Sequence, residues 1–108
     1  MNEKSLKNIL GLAQRAQRLV SGNFQVTDAI SKDKVKILIL TTDASPSTVR
    51  EFEKFAEEKN FPIARVLTKE DLGQCLGKEM RSVAAITDEG FKKSVDKILN
   101  NFSDKENE

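Results

Sequence analysis

The stretch VKILILTTDASP, residues 35–46, decides the fold class of this chain of 108 residues. Its first six residues form an almost unbroken run of β-branched and Leu side chains, which is typical of a strand buried on both faces of a sheet. The polar TTD that follows predicts a loop, with Ser45 as a helix cap and Pro46 at the first helical position. We therefore predict a central strand over residues 35–40 that leads into a helix.

Helix-like and strand-like segments alternate on both sides of this stretch. Apolar residues at steps of three and four predict helices over about residues 4–17, 23–31, 46–60 and 68–76, and from 87 or 88 onward. Leu12 is predicted to widen the apolar face of the first helix. Short apolar runs predict further strands at residues 19–20, 63–67 and 83–86. This alternation predicts one α/β domain over residues 1–102, with helices on both faces of a small sheet, and a frayed acidic tail over 103–108.

Composition favours a cytoplasmic globular protein. Charged residues make up 32% and hydrophobic residues 38% of the chain, and no apolar run approaches the roughly 20 residues of a membrane span. The N-terminus has no apolar segment behind a basic start, and a single Cys75 fits a reducing compartment. The net charge of +1 is unevenly distributed, because residues 1–50 carry +4 and residues 51–108 carry −3. The basic half permits a surface that faces a polyanion, although such charge is commonly just solvated surface.

The residue types that catalysis commonly needs are scarce. The chain has no His, and its five Gly residues form no dinucleotide or phosphate-loop motif. Cys75 lies on an apolar helical face without a base nearby in sequence, which favours a core position over a reactive one. We therefore expect no enzyme activity, no cofactor, no metal site and no small-molecule substrate.

Two segments keep a possible binding role. The first is LVSGNFQVTDAI, residues 19–30, in which Gly22 precedes a helix whose first turn carries the amides of Asn23 and Gln25. Free N–H groups and the positive end of the helix dipole favour anions such as phosphates there. The same pattern is typical of a plain turn with a helix cap.

The second segment is KEMR, residues 78–81, between a helix and a strand. Met80 is apolar in a polar loop, so it either covers the core or presses on a base or a partner surface. Arg81 offers a planar fork of donors for a phosphate or a guanine.

Several stretches in combination resemble the bacterial YlxQ-type proteins of the ribosomal protein L7Ae superfamily of kink-turn RNA binders. The resemblance runs from about Leu6 to Leu99. It rests on LGLAQRAQRLVSG (10–22), VTDAI (26–30), VKILILTTDAS (35–45), FPIARVLTKEDLGQCLGK (61–78) and VAAITDEGF (83–91).

The resemblance implies a three-layer α-β-α sandwich around a four-stranded mixed sheet, and no catalysis. Members of the superfamily bind RNA at a sharp bend beside tandem sheared G·A pairs. The implied partner is thus structured RNA of the kink-turn type, with ribosomal RNA and neighbouring ribosomal proteins as candidates. The implied RNA-binding residues are Gly22, Asn23, Phe24, Gln25, Asp28, Lys32, Lys78, Glu79, Met80 and Arg81.

This chain departs from the strongest form of the family motif, Gly-x-Asn-Glu-Val-Thr-Lys. Phe24 replaces the Asn, Gln25 replaces the Glu, and Asp28 puts a negative charge where a phosphate is expected. Lys32, Lys34 and Lys78 are the cations that would compensate for Asp28.

Two main hypotheses follow. One is a non-enzymatic binder of structured RNA, associated with the ribosome or another ribonucleoprotein. The alternative is a protein-interaction module of the same fold with weak or lost RNA affinity, anchored by Phe24 and Met80. A subunit that recognises RNA for a modifying enzyme is a third possibility, by analogy of fold alone.

Overall fold

The computed structural model describes the backbone of residues 2–107 and the side chains of residues 3–100. Helices and strands alternate along it, as the sequence predicts. The helices are α1 (Asn2–Arg15), α2 (Asn23–Ser31), α3 (Pro46–Lys59), α4 (Lys69–Cys75) and α5 (Glu89–Asn107). The strands are β1 (Leu19–Ser21), β2 (Ile37–Leu40), β3 (Ile63–Arg65) and β4 (Val83–Ile86).

The four strands form one mixed sheet in the order β1-β4-β2-β3. β2 and β3 are parallel, whereas β4 is antiparallel to both of its neighbours. The register pairs Ser21 with Ala84 and Leu40 with Val83. The carboxyl ends of β1, β2 and β3 therefore lie at the same edge of the sheet as the amino end of β4.

Each face of the sheet is covered by helices, which gives the expected three-layer sandwich. Alternate residues of β2 and β4 enter different cores, because successive side chains of a strand point to opposite faces. Ile39 packs with α1, α4 and α5, whereas Leu38 packs with α2 and α3. All four residues of β2 are buried, which confirms the prediction of a central strand, although the strand begins at Ile37 and not at the predicted Val35.

The first helix ends two residues earlier than predicted. Gln17 has a φ of +62°, and the N–H of Arg18 donates to the carbonyl of Ala13 at 2.8 Å. This closes α1 in the manner of a Schellman motif. Leu12 is 49% exposed, so it lies outside the buried face that it was expected to widen.

Local signals set the other boundaries. Ser45 caps α3 by accepting from the N–H of Thr48, and Thr68 caps α4 by accepting from the N–H of Asp71. The carboxylate of Asp71 lies 3.5 Å from the ammonium of Lys7. β3 ends at Arg65 rather than at the predicted Leu67, whose φ of +65° turns the chain.

The last helix begins as predicted, with a carboxylate oxygen of Asp88 accepting from the N–H of Phe91 at 2.9 Å. Its backbone stays helical to Asn107, past the residue at which the domain was predicted to end. The side chains of Phe102 and of the acidic tail lie outside the described residues. Within the described part of the chain, no helix has the length and apolar character to span a membrane.

Candidate nucleic-acid interface

The two segments with a possible binding role meet at one edge of the sheet. The pairing of β1 with β4 continues past the strand ends, since the N–H of Gly22 donates to the carbonyl of Val83 at 3.0 Å. The N–H of Arg81 donates to the carbonyl of Lys69 at 3.1 Å, which ties this loop to the start of α4. Between the two segments lies an open hollow of about 460 Å³, which we call the edge hollow. It is lined by Ser21, Gly22, Asn23, Phe24, Gln25, Met80, Arg81 and Ser82.

Gly22 forms the N-terminal boundary of α2 in a conformation that only glycine adopts readily. Its φ of 87° and ψ of 154° lie in a region that is essentially closed to residues with a Cβ. No side chain caps this helix, so the plain reading of Ser-Gly as a side-chain cap is not what the structure shows. The first N–H groups of α2 therefore have no side-chain acceptor and remain suited to an anion or a base edge.

Arg81 lies directly across Gly22. A Cβ built on Gly22 would lie 3.8 Å from Arg81 Nε, which is ordinary van der Waals contact. Arg81 Nη1 donates to the carbonyl of Met80 at 3.2 Å. Arg81 Nε is buried and has no hydrogen-bond partner among the described residues. A buried donor without a partner costs free energy, so this guanidinium favours an added acceptor in the hollow.

Phe24 and Met80 flank the edge hollow and are strongly exposed. The side chain of Phe24 is 86% accessible and that of Met80 is 65% accessible. Met80 therefore does not cover the core, which was one of the two interpretations of its place in the sequence. Two large apolar side chains in water on facing segments indicate a contact surface rather than a packing role.

The loop that carries Met80 is held against α4. The N–H of Lys78 donates to the carbonyl of Gly73 at 2.8 Å. Lys78 and Glu79 are exposed, but neither lines the edge hollow. The structure thus brings six of the ten predicted residues into one hollow and leaves these two outside its lining.

Asp28 and Lys32 lie farther along α2, also outside the edge hollow. Their carboxylate and ammonium are 3.1 Å apart, one helical turn from each other. Of the three cations that the sequence suggested, Lys32 is therefore the one that compensates for Asp28. Asp28 belongs to a second hollow on the outer face of α2, lined by Asn23, Phe24, Thr27, Asp28 and Ser31. Asn23 and Phe24 line both this second hollow and the edge hollow.

Sequence reasoning missed two residues of the edge hollow and a separate groove. Ser21, the last paired residue of β1, and Ser82, which directly precedes β4, line the hollow because these strands pair side by side, and only the antiparallel pairing would have shown that. A groove of about 580 Å³ also lies between α1 and α4. It is lined by Lys7, Asn8, Gly11, Leu12, Arg15, Asp71, Gln74 and Cys75.

Cys75, which was expected in the core, is half-buried in this groove between α1 and α4. Burial raises the pKa of the Cys75 thiol, Lys7 lowers it and Asp71 raises it. Its Sγ donates to the carbonyl of Leu72 at 3.3 Å. A thiol with a raised pKa carries little thiolate near neutral pH, which argues against a nucleophilic role. Among the described residues, no cluster of His, Cys, Asp or Glu has an arrangement that could hold a metal ion.

The fold and the edge hollow define a small α-β-α protein with a candidate nucleic-acid surface, and comparison with known proteins identifies its family. The chain belongs to the Ribosomal protein L7Ae/L30e/S12e/Gadd45 family, whose family model matches residues 4–96. This confirms the resemblance seen in the sequence.

Individual relatives agree with this assignment. The chain is 36% identical over 91 residues to the RNA-binding protein YlxQ of Bacillus subtilis (strain 168), which covers 84% of this chain and 91% of that protein. It is 29% identical over 98 residues to the RNA-binding protein YlxQ of Enterococcus faecium, covering 91% and 94% of the two chains. The structure of the Giardia lamblia 15.5kD RNA binding protein matches with a TM-score of 0.76 at 20% identity, covering 93% of this chain and 86% of that one. At that identity the likeness shows the fold.

Proposed function

We propose that this chain is a non-enzymatic binder of structured RNA, and that it recognises kink-turn-type bends through the edge hollow. The observation that carries the proposal is the meeting of the uncapped start of α2 at Gly22 with the guanidinium of Arg81. Two relatives that share most of their length with this chain are named RNA-binding proteins, which supports the same class of ligand.

The chemistry of the edge hollow suits a bent RNA better than a straight one. A regular A-form helix hides its base edges in a deep, narrow major groove that side chains do not enter. A sharp bend widens the groove, so that guanine edges and crowded phosphates become accessible. The start of α2 and Arg81 then supply donors for phosphate or base oxygens, and the amide of Gln25 both donates to and accepts from a base edge.

A binding assay with two RNAs of equal length tests this proposal. Fluorescence anisotropy would compare a kink-turn duplex with a straight duplex, for the wild-type chain, Gln25→Ala and Arg81→Ala. We expect a preference for the bent duplex, and a loss of roughly 5- to 150-fold in affinity for each variant, as for a good base contact. Equal affinity of the wild-type chain for both duplexes would overturn the proposal.

Matched controls separate a local effect from a general loss of charge or fold. Gln74→Ala removes an exposed glutamine that lines the groove between α1 and α4, and Arg50→Ala removes an exposed arginine of α3. Both controls should bind the bent duplex as the wild-type chain does. Circular dichroism melting should show the same transition for all four variants.

We further propose that the chain acts in the cytoplasm in association with the ribosome or another ribonucleoprotein. The family to which it belongs includes ribosomal proteins by its description. Sedimentation of a cell lysate in a sucrose gradient tests this, with the tagged chain expected in ribosomal or subunit fractions and released by RNase. A chain that stays at the top of the gradient, with or without RNase, would contradict the association.

A protein-interaction module of the same fold is the second candidate function. The observation that favours it is the exposure of Phe24 and Met80, because apolar side chains of this size are common anchors of protein interfaces. Purification from cells with and without RNase separates the two functions. Partners that stay bound after RNA digestion, and are lost with Phe24→Ala, would support the module.

A further inference from the structure

Phe24 is unusual because it is an aromatic residue placed almost entirely in water. It lies in the first turn of α2 with 86% of its surface accessible. Across the edge hollow, Met80 is 65% accessible. The other large exposed hydrophobic side chain among the described residues is Leu12, which lines the groove between α1 and α4. Two of the three such side chains therefore border one hollow.

The remaining lining of the edge hollow is polar and carries no carboxylate. Ser21, Asn23, Gln25 and Ser82 supply hydroxyls and amides, and Arg81 supplies the single charge, which is positive. Flat apolar faces beside neutral hydrogen-bonding groups and one cation match a nucleobase attached to a phosphate. A protein anchor would instead be expected to enter a surrounding that is largely apolar and desolvated.

We infer that Phe24 is the platform on which one unpaired base of the bound RNA stacks, with Met80 closing the hollow from the opposite side. This inference rests on the proposed RNA-binding function and adds a stacking role for Phe24, which stands where the family motif has Asn. The base must be unpaired, because the Phe24 ring takes the place of the adjacent base on which a paired base stacks within a helix. Arg81 Nε is buried without a partner among the described residues, so a small shift of this side chain toward the same nucleotide would give it an acceptor.

The charges around Phe24 indicate the side from which the RNA strand passes. Asp28 lines the second hollow, which does not include Arg81, and its carboxylate repels a phosphate there. Lys32 neutralises Asp28 from 3.1 Å but adds no free positive charge there. In the edge hollow the charged residue is Arg81, and its loop of residues 78–81 carries a net charge of +1 from Lys78, Glu79 and Arg81. The phosphates next to the stacked base therefore run along the loop of residues 78–81.

Stacking also changes what the site can discriminate. Every base has a π-face, so stacking is tolerant of base identity, in contrast to hydrogen bonding at a base edge. Because Phe24 has no donor or acceptor, its contribution depends on an unpaired base being present and hardly on which base it is. The edge hollow therefore selects the shape of the RNA more than its sequence.

A double-mutant cycle between protein and RNA tests the inference. The probe is the kink-turn duplex, either intact or with each unpaired nucleotide of the bend replaced in turn by an abasic one. With the intact duplex, we expect Phe24→Ala to weaken binding by roughly 5- to 150-fold, the range for removal of one aromatic–base stack. With the correct abasic duplex, the wild-type chain and Phe24→Ala should bind equally. Exchanging one unpaired base for another should change the affinity of the wild-type chain by less than removing the base does.

Conservative variants distinguish stacking from simple apolar contact. Phe24→Tyr keeps the aromatic ring and should keep the affinity, whereas Phe24→Leu keeps the apolar character and should bind as weakly as Phe24→Ala. Leu12→Ala is the matched control for removal of an exposed apolar side chain, and it should bind the RNA normally. Because Phe24 is exposed, all of these variants should keep the wild-type melting transition.

Each outcome decides between distinct conclusions. If the wild-type chain prefers the bent duplex but Phe24→Ala and Phe24→Leu bind it normally, the stacking inference is wrong and the proposed function stands. If those variants keep RNA binding but lose a partner that survives RNase, Phe24 is a protein anchor instead. If the wild-type chain shows no preference for the bent duplex, both the proposed function and the inference fail.

Discussion

Gly73 of α4 lies directly beneath the peptide unit of Glu79. A Cβ built at position 73 would overlap the carbonyl oxygen of Glu79 and lie 2.7 Å from its carbonyl carbon. The obstructing atoms are backbone, so they cannot move aside as the end of a flexible side chain does. The close approach of these two residues fixes the position of the loop that carries Met80 and Arg81.

Gly73→Ala is therefore expected to displace the loop of residues 78–81 and to weaken RNA binding. Overpacking of this kind costs about 1–3 kcal/mol of stability. The hydrogen bond from the N–H of Lys78 to the carbonyl of Gly73, 2.8 Å long, should open more often. Faster amide exchange at Lys78 is the direct measurement, together with a higher dissociation constant for the kink-turn duplex.

The control for this variant is Gly90→Ala. A Cβ at position 90 would meet only a side-chain oxygen of Asp88, at 3.1 Å. Exchange at Lys78 should be unchanged in that variant. Unchanged exchange in Gly73→Ala as well would show that the loop is not held by this contact.

Gly22→Ala should lower the free energy of unfolding without creating a steric clash. The nearest atom to a Cβ at position 22 is Arg81 Nε at 3.8 Å, so space is available. The φ of 87° and ψ of 154° are the obstacle, and forcing a Cβ into that region costs about 1–3 kcal/mol. Urea unfolding followed by circular dichroism measures the change, and a midpoint equal to that of the wild-type chain would argue against backbone strain at this position.

Asp28→Asn should strengthen RNA binding by releasing Lys32. The two charges are 3.1 Å apart and both side chains are about half exposed, so the expected gain is modest, roughly two- to fivefold. The dependence of affinity on salt should also become steeper, because one more free cation displaces counterions from the RNA.

Asp33→Asn is the matched control, because it also removes one negative charge, at a position just after the end of α2. Its carboxylate pairs with the ammonium of Lys59 at 3.0 Å, and Asp33 lines neither hollow. If Asp33→Asn raises the affinity as much as Asp28→Asn does, net charge is responsible and the local pair is not.

Cys75 should react slowly with alkylating reagents. Burial raises the pKa of its thiol, so less thiolate is present at a given pH than for a free cysteine. The rate of iodoacetamide alkylation at pH 8 should be lower than that of a model thiol, and its midpoint with pH should lie higher. Lys7 lowers this pKa, so Lys7→Met should slow the reaction further, whereas Lys4→Met should not. A thiol that reacts faster than the free one would contradict this description of its surroundings.

Much of the architecture follows from local patterns. The unbroken apolar run at residues 37–40 becomes a strand buried on both faces, and Ser45 with Pro46 starts α3. The helix Asn23–Ser31 has the bounds that apolar spacing predicts. β2 begins at Ile37 rather than at the predicted Val35. Two further errors lie where residues leave the ordinary backbone regions: Gln17 and Leu67 take positive φ values and end their elements early. Neither residue is a Gly or an Asn, the types that most readily take positive φ values, so the local sequence does not predict the turn.

Part of the binding surface could also be predicted from the sequence. The sequence shows two unusual local features, which are Gly22 before a polar helix start and the Met-Arg pair in a polar loop. The one-turn spacing of Asp28 and Lys32 also permits their ion pair. The family resemblance joined these pieces, but no local pattern did so. The exposure of Leu12 could not be predicted in this way, since Leu12 follows helical spacing that would suit a core but is 49% exposed.

The alternation of helices and strands, and hence the fold class, was set by short-range periodicity, which acts within a few residues of the chain. The edge hollow was set by the antiparallel pairing of β1 with β4 and by the contact of Gly73 with the loop above it. Those contacts join residues that are distant in the chain, and their geometry depends on how two buried cores pack against one sheet. Only the folded molecule therefore brings Arg81 next to Gly22 and Phe24 at the edge hollow.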